Sequence, residues 1–151
     1  MRSKRIIAWV VSGILLASGL SALVLHAQAD DDKVIEGKAT VIDAGTIKIG
    51  DKVVKLQGVI TPGARQKCRK GSLPWLCGAA ARTHLVKLVE DKTIRCLKSG
   101  PYHARCFEGG VDLAKSLARN GWAVAAKDGL IYRDAEDAAR ADKLGMWQYA
   151  D

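Results

Sequence analysis

Four cysteines, Cys68, Cys77, Cys96 and Cys106, have the widest choice of chemistry in this chain. Thiolates can hold zinc, attack as nucleophiles or pair as disulfides. Zinc would draw on them together with His84 or His103, but the sequence has no C-x2-C pair to begin such a site. A nucleophile built from Cys106 and His103 needs a free thiol, which a paired cysteine lacks. An even count in an exported chain reads as disulfides, and the four cysteines leave three connectivities open. Around Cys68 stand Arg65, Lys67, Arg69 and Lys70, either a solvated face or a polyanion-binding surface. Lys55 is either an exposed strand lysine or a phosphate contact. Asp43, three residues before Thr46, reads as a turn cap in preference to a metal ligand.

The disulfide reading depends on export, and the N-terminus supplies a signal for it. Arg2, Lys4 and Arg5 precede an uncharged apolar run, residues 6–25, long enough as a helix to cross a bilayer core of roughly 30 Å. Ala27-x-Ala29 then gives the small-residue spacing of signal peptidase cleavage. Either residues 1–29 are removed after Ala29, or residues 6–25 remain as an anchor; both place the domain outside the cytoplasmic membrane, periplasmic or membrane-anchored. Residues 30–33 form a polar leader, and residues 34–151 the domain. From Asp30 onward, 21 basic residues against 16 acidic leave a net charge of +5. That balance admits a polyanion without requiring one. At 151 residues with 48% apolar content, the chain suits one domain plus an appendage and excludes wholesale disorder.

The positioning elements follow from periodicity. Val34 to Asp43 suits a strand, Thr46 to Ile49 alternates cleanly, and Gly50-Asp51 signals a hairpin into a third strand, Lys52 to Ile60. Pro62-Gly63 breaks the chain, and residues 65–70 form a basic loop. Apolar spacing predicts a helix over 75–89, strands over 93–97 and 104–107, and a helix over 111–120 that buries Leu113, Ala114, Leu117 and Ala118 before Gly121. Trp122 to Ala126 is extended, and Tyr132 to Leu144 is a last helix with Trp147 at its end. This is an α+β order, compatible with a small OB-type barrel of five strands.

These stretches resemble the thermonuclease, or staphylococcal nuclease-like, family. The resemblance rests on ATVIDAGTIKI (39–49), VVKLQGVITPG (53–63), QKCRKGSLPWLCGAAA (66–81), RCFEGGVDLAKSLARNGWAVA (105–125) and LGMW (144–147). It spans Val34 to Trp147 in order. It implies an OB-fold five-stranded barrel with three helices, here preceded by the N-terminal hydrophobic helix. It also implies the exported branch, in which disulfides pair sequentially, Cys68 with Cys77 and Cys96 with Cys106.

Members of that family cleave DNA and RNA phosphodiesters with Ca²⁺, using carboxylates for the cation, a general base for water and arginine forks for phosphate. Measured against that pattern, Asp43, Thr46 and Thr61 match. Gly45 and Ile60 replace the metal-binding aspartates, Lys55 replaces one arginine, Gly63 the glutamate and Pro101 the other arginine. Aligning by Tyr102 instead leaves Arg105 one position too far along its strand. The expectation is a pseudonuclease, an exported non-catalytic binding or assembly module with no metal and no cofactor. Its partner would be a protein, polysaccharide or nucleic-acid polyanion. The alternatives are a divergent calcium-dependent endonuclease, and a subunit of a membrane complex held through residues 6–25. The few aromatics, with Trp75, Trp122 and Trp147 read as core, argue against base stacking.

Overall fold

Alternation builds the first strand. In β1 (Val34–Asp43), Ile35, Gly37, Ala39 and Val41 face inward while Glu36, Lys38, Thr40 and Ile42 face solvent. The strand lies within the second of the two units into which the chain divides, Met1–Asp32 and Lys33–Asp151. The computed structural model describes residues 33–149. The expected signal or anchor of residues 1–29, its apolar helix and nearly all of the 30–33 leader lie outside them. Among the described residues no helix is long and apolar enough to cross a membrane.

β2 (Thr46–Ile49) returns antiparallel to β1, and β3 (Lys52–Leu56) follows through the Gly50-Asp51 turn, with Gly50 at φ 57°. On β3, Val54 and Leu56 are buried while Val53 and Lys55 are exposed, as the alternation predicts. The expected long third strand does not run on to Ile60. It stops at Leu56, turns at Gln57-Gly58 with Gly58 at φ 79°, and resumes as β4 (Val59–Ile60).

The region expected as a basic loop contains a hairpin, β5 (Cys68–Lys70) against β6 (Leu73–Trp75). Helix α1 (Cys77–Val89) therefore starts two residues later than apolar spacing suggests, because Trp75 is paired with Cys68. β7 (Thr93–Lys98) and β8 (His103–Glu108) form an antiparallel pair, and β9 (Val111–Asp112) adds at the edge of β8. Asp112 then caps α2 (Leu113–Arg119) by accepting the Lys115 N–H at 3.2 Å. β10 (Val124–Ala125) pairs with β4, and α3 (Arg133–Ala141) follows.

β7 pairs with β1, and β3 meets β8 in parallel at Lys55–His103 and Leu56–Ala104. The ring β1-β2-β3-β8-β7 is thus a closed five-strand barrel of OB-like form, carrying three helices in a mixed α+β arrangement. Ile35, Ile47, Val54, Ile94 and Leu56 fill it, with Leu85 and Val89 of α1 and Leu113 and Leu117 of α2. The cysteines pair sequentially, Cys68 with Cys77 and Cys96 with Cys106. The second pair joins directly opposed residues of β7 and β8 inside the core. Two disulfides are consistent with an oxidising, exported environment.

Candidate functional site

Where β1 meets β2, the register slips between Val41 and Asp43 and leaves a bulge at Ile42. A bulge re-aims the residue after it. Arg82 of α1 holds the bulge from outside, its guanidinium donating to the carbonyls of Val41 at 2.9 Å and Ile42 at 3.2 Å. Asp43 is thereby turned into a cleft of about 350 Å³. Its Oδ1 accepts the Gly45 N–H at 2.9 Å, the turn cap expected from sequence.

The opposite wall comes from the barrel seam. Lys55 and Leu56 end β3 there, and the Leu56 N–H donates to the Gly45 carbonyl at 2.8 Å. Thr61, Pro62 and Gly63 follow β4 along the rim. The structure thus brings Asp43, Gly45, Thr46, Lys55, Thr61 and Gly63 to one cleft. It leaves two expected positions out. Ile60 pairs with Val124 and is exposed, and Pro101 lies in the β7–β8 turn, lining a separate hollow with Tyr102. Arg105 is also elsewhere, in the middle of β8 with its guanidinium on Asp112.

Two cleft residues were missed by sequence reasoning. His103 enters because it sits opposite Lys55 across the seam, a pairing of distant strands with no local signal. Asp128 enters from the segment after β10, which a hydrogen bond from the Ala126 N–H to the Gly58 carbonyl at 3.0 Å draws over the cleft. There the backbones of Gly58 and Gly129 touch, and a Cβ on Gly129 would stand 1.7 Å from the Gly58 carbonyl oxygen. Residue type explains this contact, since only glycine permits it.

A calcium ion takes six to eight oxygens, several of them carboxylate. Gly45 has no side chain to supply one, and the Thr61 hydroxyl oxygen stands 2.6 Å from where its Cβ would be. Gly63 gives none, and its N–H is already donated to the Gln66 side-chain oxygen at 3.1 Å. Asp43 and Asp128 remain, and among the described residues no three His, Cys, Asp or Glu side chains gather as a metal-holding group. The donor set does not fit calcium in the way the resemblance would require. The cleft presents two carboxylates, the Lys55 ammonium and the His103 imidazole, a mixed-charge surface suited to polar recognition.

The second candidate surface is the β5–β6 hairpin. Arg69 and Lys70 are exposed on it, and Arg65 and Lys67 are exposed in the segment that leads into it. Cys68–Cys77 ties β5 to the first residue of α1, and Lys70 lies 4.6 Å over the ring of Tyr149. Beneath, Trp75 meets Trp122 edge-on at 6.2 Å, and Trp122 packs on the core. Trp147 is half-buried with Arg140 at 4.2 Å over its ring. Trp75, Trp122 and Trp147 are therefore occupied by packing. Compared with protein-family models and with curated proteins, the chain matches none.

Proposed function

We infer that this chain is an exported, non-catalytic relative of the thermonuclease family. In this reading it is a pseudonuclease that acts as a binding module and holds a polyanion on the basic segment of residues 65–70, which leads into the β5–β6 hairpin. The observation that carries the reading is the lining of the cleft, where Gly45 and Gly63 offer no carboxylate and the Thr61 hydroxyl occupies the space beside Gly45 in which the resemblance places a metal ligand. The hairpin supports the binding half of the proposal. It carries Arg69 and Lys70, with Arg65 and Lys67 just before it, on a scaffold fastened by a disulfide and an edge-on aromatic contact, so little ordering cost falls on binding. Partner classes compatible with this chemistry are polysaccharide, nucleic acid and acidic protein.

The test is heparin binding by the purified full chain across a salt series. Neutralising Arg65, Lys67, Arg69 and Lys70 together by alanine is expected to flatten the dependence of log Kd on log salt and to weaken binding by tenfold or more at low salt. Binding that survives this change intact would refute the assignment.

One observation favours a second reading, a divergent nuclease. Asp43 and Asp128 face the same cleft as Lys55 and His103. DNA digestion in calcium, abolished by chelator and by both Asp43→Asn and Asp128→Asn, would establish it over the pseudonuclease.

A further inference from the structure

Away from the cleft, β8, β9, α2 and the turn before α3 enclose a groove of about 630 Å³. Its chemistry starts with Asp112. The Oδ2 of Asp112 accepts from Arg105 at 2.9 Å and from the Tyr132 hydroxyl at 2.9 Å, while Oδ1 caps α2. The carboxylate is thus fully committed, and it fixes Arg105 in place beside the groove. Phe107 supports the same guanidinium from one face at 5.4 Å.

Along α2, Lys115 and Arg119 are four residues apart and share the groove side. Three cations and the Asp112 carboxylate line it, and Asp142 pairs with Arg119 at 2.8 Å from just outside, so the net charge there is +1. Between them lies uncovered hydrocarbon, with Val111 52% and Ile131 65% exposed. Cations flanking exposed aliphatic side chains match a ligand that alternates acid with hydrocarbon. A small inorganic anion would leave the apolar part unused. Single-stranded nucleic acid would need aromatic platforms, and the two rings here are taken, Phe107 under Arg105 and Tyr132 in the core.

We propose that this groove is a second binding site, which takes an extended acidic peptide segment of a partner protein. Its carboxylates meet Arg105, Lys115 and Arg119, and an aliphatic side chain rests on Val111 and Ile131. The site is separate from the basic hairpin, so either can fail without the other.

The probe is a fluorescein-labelled octapeptide alternating glutamate with leucine, titrated into the full chain and read by anisotropy. Saturable binding is expected. Lys115→Glu should raise Kd at least tenfold, and acid at this third helical position suits the first turn of α2, so folding is spared. Ile131→Asp, at an exposed position, should raise it similarly. Lys48→Glu, the same charge change on the outer face of β2, should leave Kd within twofold. The proposal is overturned by absent binding, or by equal losses from Lys115→Glu and Lys48→Glu. It is equally overturned by hexaglutamate binding as tightly as the mixed peptide, or by oligothymidylate displacing the peptide at lower concentration.

Discussion

His84 shows how one side chain sets a pH limit on the fold. It sits on α1 against Trp122 at 6.1 Å, with Nε2 buried and without a hydrogen-bond partner among the described residues. Burial first, and then the charge of Lys87, hold its pKa below the ordinary histidine value of 6.5. The unfolded chain then binds a proton that the folded chain refuses. Stability from this group is complete above the unfolded value and is lost as pH falls through and below it. Urea midpoints should therefore decline as pH falls below about 6.5, and His84→Phe should flatten that part of the profile. Tyr132 behaves in the opposite sense. Burial first, and then the Asp112 carboxylate, push its phenol above 10, so its contribution fades only on the alkaline side.

At the scale of elements, Glu136 explains why α3 stays docked. Its side chain is buried, Oε2 accepts the Ala125 N–H of β10 at 2.7 Å, and Arg140 pairs with Oε1. β10 in turn pairs with β4, the strand that leads into Thr61 and Gly63 of the cleft. Glu136→Gln should cost about 2–3 kcal/mol, since a charge-assisted acceptor becomes a neutral one. Glu136→Ala should cost about 2–4 kcal/mol, because the buried Ala125 N–H loses its acceptor while Arg140, half exposed and over Trp147, turns to water. Denaturant unfolding measures both. This anchor was not legible in sequence. The alternation of Lys52–Leu56 and the helical spacing of Leu113, Ala114, Leu117 and Ala118 were, because burial repeats with the local period. Glu136 stands among Arg133, Asp134, Asp137 and Arg140 on its helix, and nothing local tells a buried acid from a solvated one. The Gly58 turn was missed for a related reason. Val59 and Ile60 continue the β-forming composition, but they pair with a strand more than sixty residues on, and composition carries no information about that partner.

For the molecule as a whole, the barrel was readable from five alternating segments and a family resemblance, whereas the cleft was read only in part. Asp43, Lys55 and Thr61 carry signals in the sequence, but His103 and Asp128 reach the cleft only through ring closure and the Gly58–Gly129 contact. The two disulfides act at this scale too. Each closes a short loop, of separation 9 for Cys68–Cys77 and 10 for Cys96–Cys106. Each contributes about 2–3 kcal/mol in the chain-entropy account. Against a total of about 5–15 kcal/mol for a domain, the fully reduced chain should sit near its folding limit. Thermal unfolding with and without reductant checks this. Cys68→Ala with Cys77→Ala should lower the midpoint and also weaken heparin binding, while Cys96→Ala with Cys106→Ala should lower the midpoint alone. The ring itself is uneven. β1 and β7 share five residue pairs, but β3 and β8 share two. A cylinder with one short stave splits along that stave, and Lys55 and His103, its opposed edges, are also walls of the cleft. Anything wedged between them would pry at the narrowest ladder of the barrel, so the closure of the cylinder and the width of its mouth rest on the same two residues.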